Sequence, residues 1–303
     1  MIAPKPLDEF LKLKREAIKA ASDTTDPWIL KWTWWAIGWE ELQRGLLTQA
    51  RDSAHEVMRV GQLLSDPEST GIGLWMLTSI ALVSDSYAEA LEYGEQSLAV
   101  AITPLDRIIA NGLKAGALVM LRRIDEGLPL LEQLKRRCSA SGFLYNVSGC
   151  DPFLGLCKVF QWKFNEGIRF IEEAILRRER EGYRFAADWY RLILAEVYLE
   201  IIAGNEKLPL FSLLKSLPTI LKIVVVAPSR IRALIAHLMD NPHFDPPGYH
   251  LGRAQMILGL LYKAKKKRVL ALQHLTEAKR ILSQFGQTPI LPRIETALAE
   301  LGQ

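Results

Sequence analysis

At 303 residues, 49% hydrophobic and 24% charged, the chain has ample material for a packed core and lacks the polar excess that marks disorder. A net charge of +4 falls short of the basic bias of a dedicated nucleic-acid binder, so no nucleic-acid partner is expected. Three cysteines, Cys138, Cys150 and Cys157, form no CxxC pair, which argues against a disulfide framework or a zinc site and fits a reducing, cytoplasmic setting.

The amino terminus, MIAPKPLDEFLKLKREAIK, turns charged within a few residues and offers no apolar signal-peptide core. It reads as a helix. Five of the eight tryptophans follow between residues 28 and 39: Trp28, Trp32, Trp34, Trp35 and Trp39. From there on, small residues recur in pairs twelve positions apart. The first member falls at Gly38, Thr78, Ala115, Gly155, Ala195 and Gly259, and the second at Ala50, Ala90, Gly127, Gly167 and Ala271; the fifth unit fails, with Lys207 in that place. Two antiparallel helices joined by a short turn approach closely, and a side chain larger than a methyl or hydroxyl at the crossing would hold them apart. One such hairpin cannot bury its own apolar stripe, so several must stack.

Matched positions start units at residues 31, 71, 108, 148, 188 and 252. The last step is one repeat longer by about thirty residues, and the surplus defines a divergent helical insertion over 205–247. Pro218 and Pro228 are expected to break it into short helices that still pack as a degenerate pair. Residues 71–83 are too short to cross a bilayer. Residues 208–236 are interrupted by Lys215, Pro218, Lys222, Pro228 and Arg230, so no membrane partner is expected. The segment DNPHFDPPGYH is a proline-stiffened return to the next repeat. The basic run from Lys263 to Arg268 falls on a solvated turn, and Lys135-Arg136-Arg137 and Arg177-Arg178-Arg180 sit near helix ends, where cations complement the dipole. The closing TPILPRIETALAELG suits a capping helix, with Pro292 in its first turn and Ile294, Ala297, Leu298 and Leu301 on one face.

Catalytic motifs are missing. No glycine opens a GxxxxGK[ST] phosphate loop, and no strand carries paired metal-binding aspartates. His237, Asp240, His243, Asp245 and His250 lie within fourteen residues. Their spacing straddles a proline-rich loop instead of repeating at i, i+4, so loop polarity and capping account for them. No cofactor, metal or catalytic residue is expected, and the chain reads as a non-enzyme.

The recurring pattern resembles the tetratricopeptide repeat (TPR). The clearest unit is residues 252–285, with Leu258-Gly259, Tyr262, Ala271, Leu275 and Ala278 at signature positions. The first unit carries Trp34, Ile37-Gly38 and Ala50, and SYAEALEYGEQSL, containing Ala90, reads like a second helix; Gly155 and Gly167 fit the same register. The resemblance implies an all-α, right-handed α-solenoid of about six TPR-like helix pairs with a C-terminal capping helix. Its parts would be an N-terminal helix over 1–26 (a remnant of a preceding repeat), repeats over 27–204, the insertion over 205–247, and the last repeat with its cap over 248–303. WWAIGWEELQRG and AKRILSQFGQTPILPRIETALAELG further resemble the C-terminal TPR region of bacterial class III adenylate/guanylate cyclase–AAA ATPase–TPR proteins.

That resemblance implies a protein-binding, regulatory piece of a longer signalling protein, whose upstream ATPase or cyclase domain is an intramolecular partner. The alternative is a free-standing adaptor that captures an apolar helix or peptide in a concave groove. In the TPR register the groove positions are Trp32, Trp35, Trp39, Trp75, Ile109, Leu156, Trp189 and Leu192. The Lys, Arg and Asn residues with which TPR co-chaperones clamp an acidic peptide terminus are not at these sites.

Overall fold

The computed structural model describes residues 6–24, 26–142, 144–204, 210–240, 248–286 and 288–302. Among them the regular elements are helical and no strand occurs. The chain falls into two compact units, Met1–Cys150 and Asp151–Gln303. The first holds α1 (Leu7–Thr24), α2 (Pro27–Gln43), α3 (Leu47–Leu64), α4 (Pro67–Val83), α5 (Tyr87–Val100), α6 (Pro104–Met120) and α7 (Ile124–Ser141). Helix α8 (Leu144–Phe160) carries the chain across the boundary. The second unit continues with α9 (Phe164–Arg180), α10 (Arg184–Ala203), α11 (Leu210–Met239), α12 (Tyr249–Ala264), α13 (Arg268–Leu282) and α14 (Leu291–Gly302), with a 3-10 turn at Ser283–Phe285.

Local chemistry sets the helix boundaries. Asp26, Asp66 and Thr103 each precede a proline that opens a helix, and each side chain accepts from backbone N–H groups of the first turn. That arrangement satisfies otherwise orphaned donors and uses proline where no N–H is needed. The ends recur as well. Gly45, Asp85, Arg122, Trp162, Gly182 and Lys266 occupy the left-handed region, with φ between 56° and 85°. The next N–H then reaches back five residues, as from Leu46 to Glu41 (2.9 Å) and Lys267 to Tyr262 (2.9 Å). This closes the helix end with a 6→1 bond and reverses the chain in three residues. Side chains with a Cβ are strained there by about 1 kcal/mol. Lys266→Gly is therefore expected to raise the unfolding free energy by about 0.5–1 kcal/mol, read from the urea midpoint, with glycine's greater unfolded-state entropy offsetting part of the relief. A lower midpoint would mean that the lysine side chain itself stabilises the turn.

Five of these turns produce helix pairs, α2–α3, α4–α5, α6–α7, α8–α9 and α12–α13, and α10 and α11 pack together as a longer sixth. Within each unit the first helices of successive pairs also touch, α2 with α4 and α4 with α6, then α10 with α12. A first helix is thus sandwiched on two sides, and α4 accordingly buries residues around its whole circumference, from Ile72 and Leu74 to Ile80 and Val83. A second helix such as α3 buries one stripe (Ala50, Ala54, Val57, Val60). The paired small residues meet at the crossings. A Cβ on Gly155 would stand 2.9 Å from the Gly167 carbonyl oxygen, and one on Gly259 would stand 2.6 Å from Leu275 Cγ. Ala50, Ala90, Ala271 and Ala278 are fully buried, Leu258 is buried, Tyr262 and Trp34 are half-buried, and the Thr78 hydroxyl is satisfied by the Leu74 carbonyl at 2.7 Å.

The insertion departs from expectation. Pro218 and Pro228 do not break it: both lie inside the single 30-residue helix α11. Each proline removes one helical hydrogen bond. The carbonyl freed by Pro228 is that of Val224, on the solvent side, where water can serve it. A buried stripe of Ile223, Ala227, Ile231, Ile235 and Leu238 then holds the helix against α10. Position 207, where the small-residue pattern fails, lies outside the described residues. No described helix is long and apolar enough to cross a membrane. Helix α14 packs on α13 through Ile294 and Ala297.

Candidate functional site

The tryptophans of α2 form a ladder along one side of the helix. Trp28 meets Trp32 edge-on at 6.2 Å, Trp32 meets Trp35 edge-on at 5.4 Å, and Trp35 stacks on Trp39 at 6.4 Å. Spacings of four, three and four residues bring the rings into this register. Beyond Trp28 the ladder is not left in water. Trp32, Trp34, Trp35 and Trp75 pack against a buried cluster of Ala54, Val57, Ile72, Met76 and Leu77 from α3 and α4. The indole N–H groups of Trp32 and Trp75 are buried without an acceptor, so those rings serve as apolar bodies. Trp39 is half-buried, and so is Ile109 on α6.

The accessible end of the ladder is its beginning. Trp28 is 63% exposed. It stands on the rim of an open, mainly apolar recess of about 370 Å³ between α1 and α2, lined by Ala17, Trp28, Ile29, Trp32, Thr33, Ala36 and Ile37. Helix α1 forms the other wall with little of its own surface buried, essentially Phe10 and Ala21. Polar anchors supply the rest. Glu41, fully buried, accepts from Lys14 of α1 at 2.5 Å and from Ser53 of α3 at 2.6 Å, and the Arg44 guanidinium lies 4.7 Å from the centre of the Phe10 ring.

A second anchor ties α2 to α4. Lys31, buried, reaches Glu68 at 2.7 Å and Asp66 at 3.6 Å. Burial works against the Asp66 carboxylate, but hydrogen bonds from Ser69 and from the Glu68 N–H, with the Lys31 charge, outweigh it and hold its pKa below the ordinary 3.8.

In the second unit the expected groove positions are core. Leu156, Trp189 and Leu192 are 3%, 8% and 0% exposed, and Trp189 sits edge-on to Phe153 at 5.9 Å. As placed, these three present no surface to a partner, a correction to their place in the groove; for Trp189 and Leu192 it follows from α10 packing on α9, α11 and α12 at once. The histidine-rich segment divides likewise. His237 Nε2 lies 3.1 Å from Glu179, which also receives the buried Arg191, itself paired with Asp188 at 2.9 Å. His250 is buried and stacked on Phe185 at 5.1 Å. His243 and Asp245 lie outside the described residues. Among the described residues no group of three or more His, Cys, Asp or Glu could hold a metal ion.

Trp28 and the recess were not singled out by sequence spacing, although Trp28 directly follows the Asp26-Pro27 helix start. A bulky ring in a first turn, ahead of the stripe that packs inward, was the available signal.

No protein-family model and no curated protein matches the sequence. Among solved structures, the crystal structure of a Rap protein complexed with Competence and Sporulation Factor is similar over 98% of this chain and 81% of that one, with a TM-score of 0.57 and 14% sequence identity. At that identity the likeness is one of fold. Fourteen helices among the described residues, paired and stacked on their neighbours, together with that likeness make this chain a TPR-like helical-repeat protein, an all-α solenoid.

Proposed function

We propose that the chain is a protein-interaction scaffold and the regulatory portion of a multidomain bacterial signalling protein of the cyclase–ATPase–TPR kind, docking an apolar helix or peptide on its α1–α2 face. The observation that carries this reading is the open apolar recess with Trp28 on its rim. Large exposed aromatic surface beside an apolar hollow marks contact sites, and aromatic anchors dominate binding energy where they are central. The similar Rap protein was solved with a bound factor, which accords with a binding role for this fold. No catalytic step is assigned to the chain itself.

The test removes the first 22 residues and with them most of α1. The expected result is red-shifted tryptophan emission and concentration-dependent association, as Trp28 and Trp32 lose their neighbour. A shortened protein that stays monomeric with unchanged emission would rule out the docking face. A free-standing adaptor is the second reading, favoured if the native reading frame does not continue upstream of Met1 into an ATPase module.

A further inference from the structure

Helix α11 differs from its neighbours in what it shows to solvent. Of the three helices it packs on, α9 carries Glu166, Glu172, Glu173 and Glu179 and α10 carries Asp188, Glu196 and Glu200, while α12 is acid-free but largely buried. Over Leu210–Met239 there is no acidic residue at all. Its buried stripe faces α10, while Val225 (79%), Leu221 (57%), Val226 (45%) and Val224 remain exposed. Exposed Lys222, Arg230 and Arg232 flank them, and none of the three forms an ion pair with a described residue. Because Pro228 does not interrupt the helix, the exposed aliphatics at 221–226 and the cations at 222, 230 and 232 lie on one continuous helix.

We propose that the outward face of α11 lies on an anionic membrane surface. The charge specifies a negatively charged partner, since an acid-free helix with unpaired cations beside exposed aliphatics is the composition that rests in a lipid headgroup layer. The arrangement of the apolar groups selects lipid over a protein helix. Leu221, Val224 and Val225 share one row at i, i+3 and i+4, but Val226 is exposed well off it and no exposed aliphatic residue follows at i+7, so the aliphatics spread over a broader and shorter arc than the seam of a docked helix. The helix lies in the surface plane, because no described helix can span a bilayer. This revises the expectation that no membrane is a partner, and it is independent of the α1–α2 face.

The test is co-sedimentation of the full chain with vesicles of phosphatidylcholine alone and of phosphatidylcholine with about a third phosphatidylserine. Binding is expected only with the anionic vesicles and should weaken with salt. Reversing Lys222, Arg230 and Arg232 to glutamate should lower the partition coefficient by roughly a hundredfold or more. Val225→Glu, at an open position, should also lower it while leaving helicity and melting unchanged. Absence of binding to anionic vesicles overturns the proposal. So does an equal loss on reversing Lys265, Lys266 and Lys267 instead, which would assign the binding to net charge. Self-association abolished by Val225→Glu, without vesicle binding, would give the face to a second copy of the chain and also overturn it.

Discussion

Leucine in place of Gly155 is expected to lower the unfolding free energy by about 1–3 kcal/mol, the usual cost of overpacking. The added Cβ alone would stand 2.9 Å from the Gly167 carbonyl oxygen and 3.2 Å from the Ile171 nitrogen. Both are backbone atoms, so no rotamer change relieves the clash and α8 must move away from α9. Gly259→Leu should behave in the same way, since its Cβ would meet Leu275 Cγ at 2.6 Å and the Leu275 nitrogen at 3.0 Å. Urea midpoints and melting temperatures measure both. Wild-type stability in either variant would show that the helices cross elsewhere.

The second large effect is acid sensitivity from His250. Burial, aided by the charge of Arg253, lowers its pKa from 6.5 to about 3. In the unfolded chain the imidazole titrates near its ordinary value, so the unfolded state takes up the proton first. The stability tied to the neutral ring is therefore complete above about pH 6.5 and lost progressively as pH falls toward 3. At about 1.4 kcal/mol per pH unit, acidification from 6.5 to 5 should cost about 2 kcal/mol, in a window above most carboxylate titration. His274, whose pKa burial also lowers, adds to the same trend. Comparing urea midpoints of the wild type and His250→Gln at pH 7 and pH 5 isolates the His250 share. The variant should lose markedly less on acidification; an equal loss would place the acid sensitivity elsewhere.

Much of the architecture was legible because it rests on short-range chemistry. Gly38 with Ala50 and Gly155 with Gly167 announce close helix crossings through size alone, and Pro292 announces the last helix by its place in a first turn. The N-terminal helix and the capping helix after Pro292 follow from the same local rules. What was not legible depends on neighbours distant in sequence. Pro228 ought to end a helix by its own geometry, yet the stripe from Ile223 to Leu238 holds the helix together against α10. Leu156, Trp189 and Leu192 occupy groove positions by register, yet their burial depends on how closely the flanking helices approach. Periodicity cannot report that distance. Trp28 escaped for the opposite reason, since nothing in its spacing separates it from the rings that pack inward.

The buried carboxylate of Glu41 bears on which segments could ever take the place of α1. It is compensated from two directions, by the Lys14 ammonium and the Ser53 hydroxyl. A segment that displaced α1 with only apolar side chains would strand that anion with a single neutral donor, at a cost of several kcal/mol. A competitor therefore has to present a lysine or arginine where Lys14 now sits, beside an aromatic ring able to receive Arg44. If the proposed docking at the α1–α2 face proceeds by replacing α1, the charge beside the hollow narrows the sequences that fit, and selectivity would reside in Glu41.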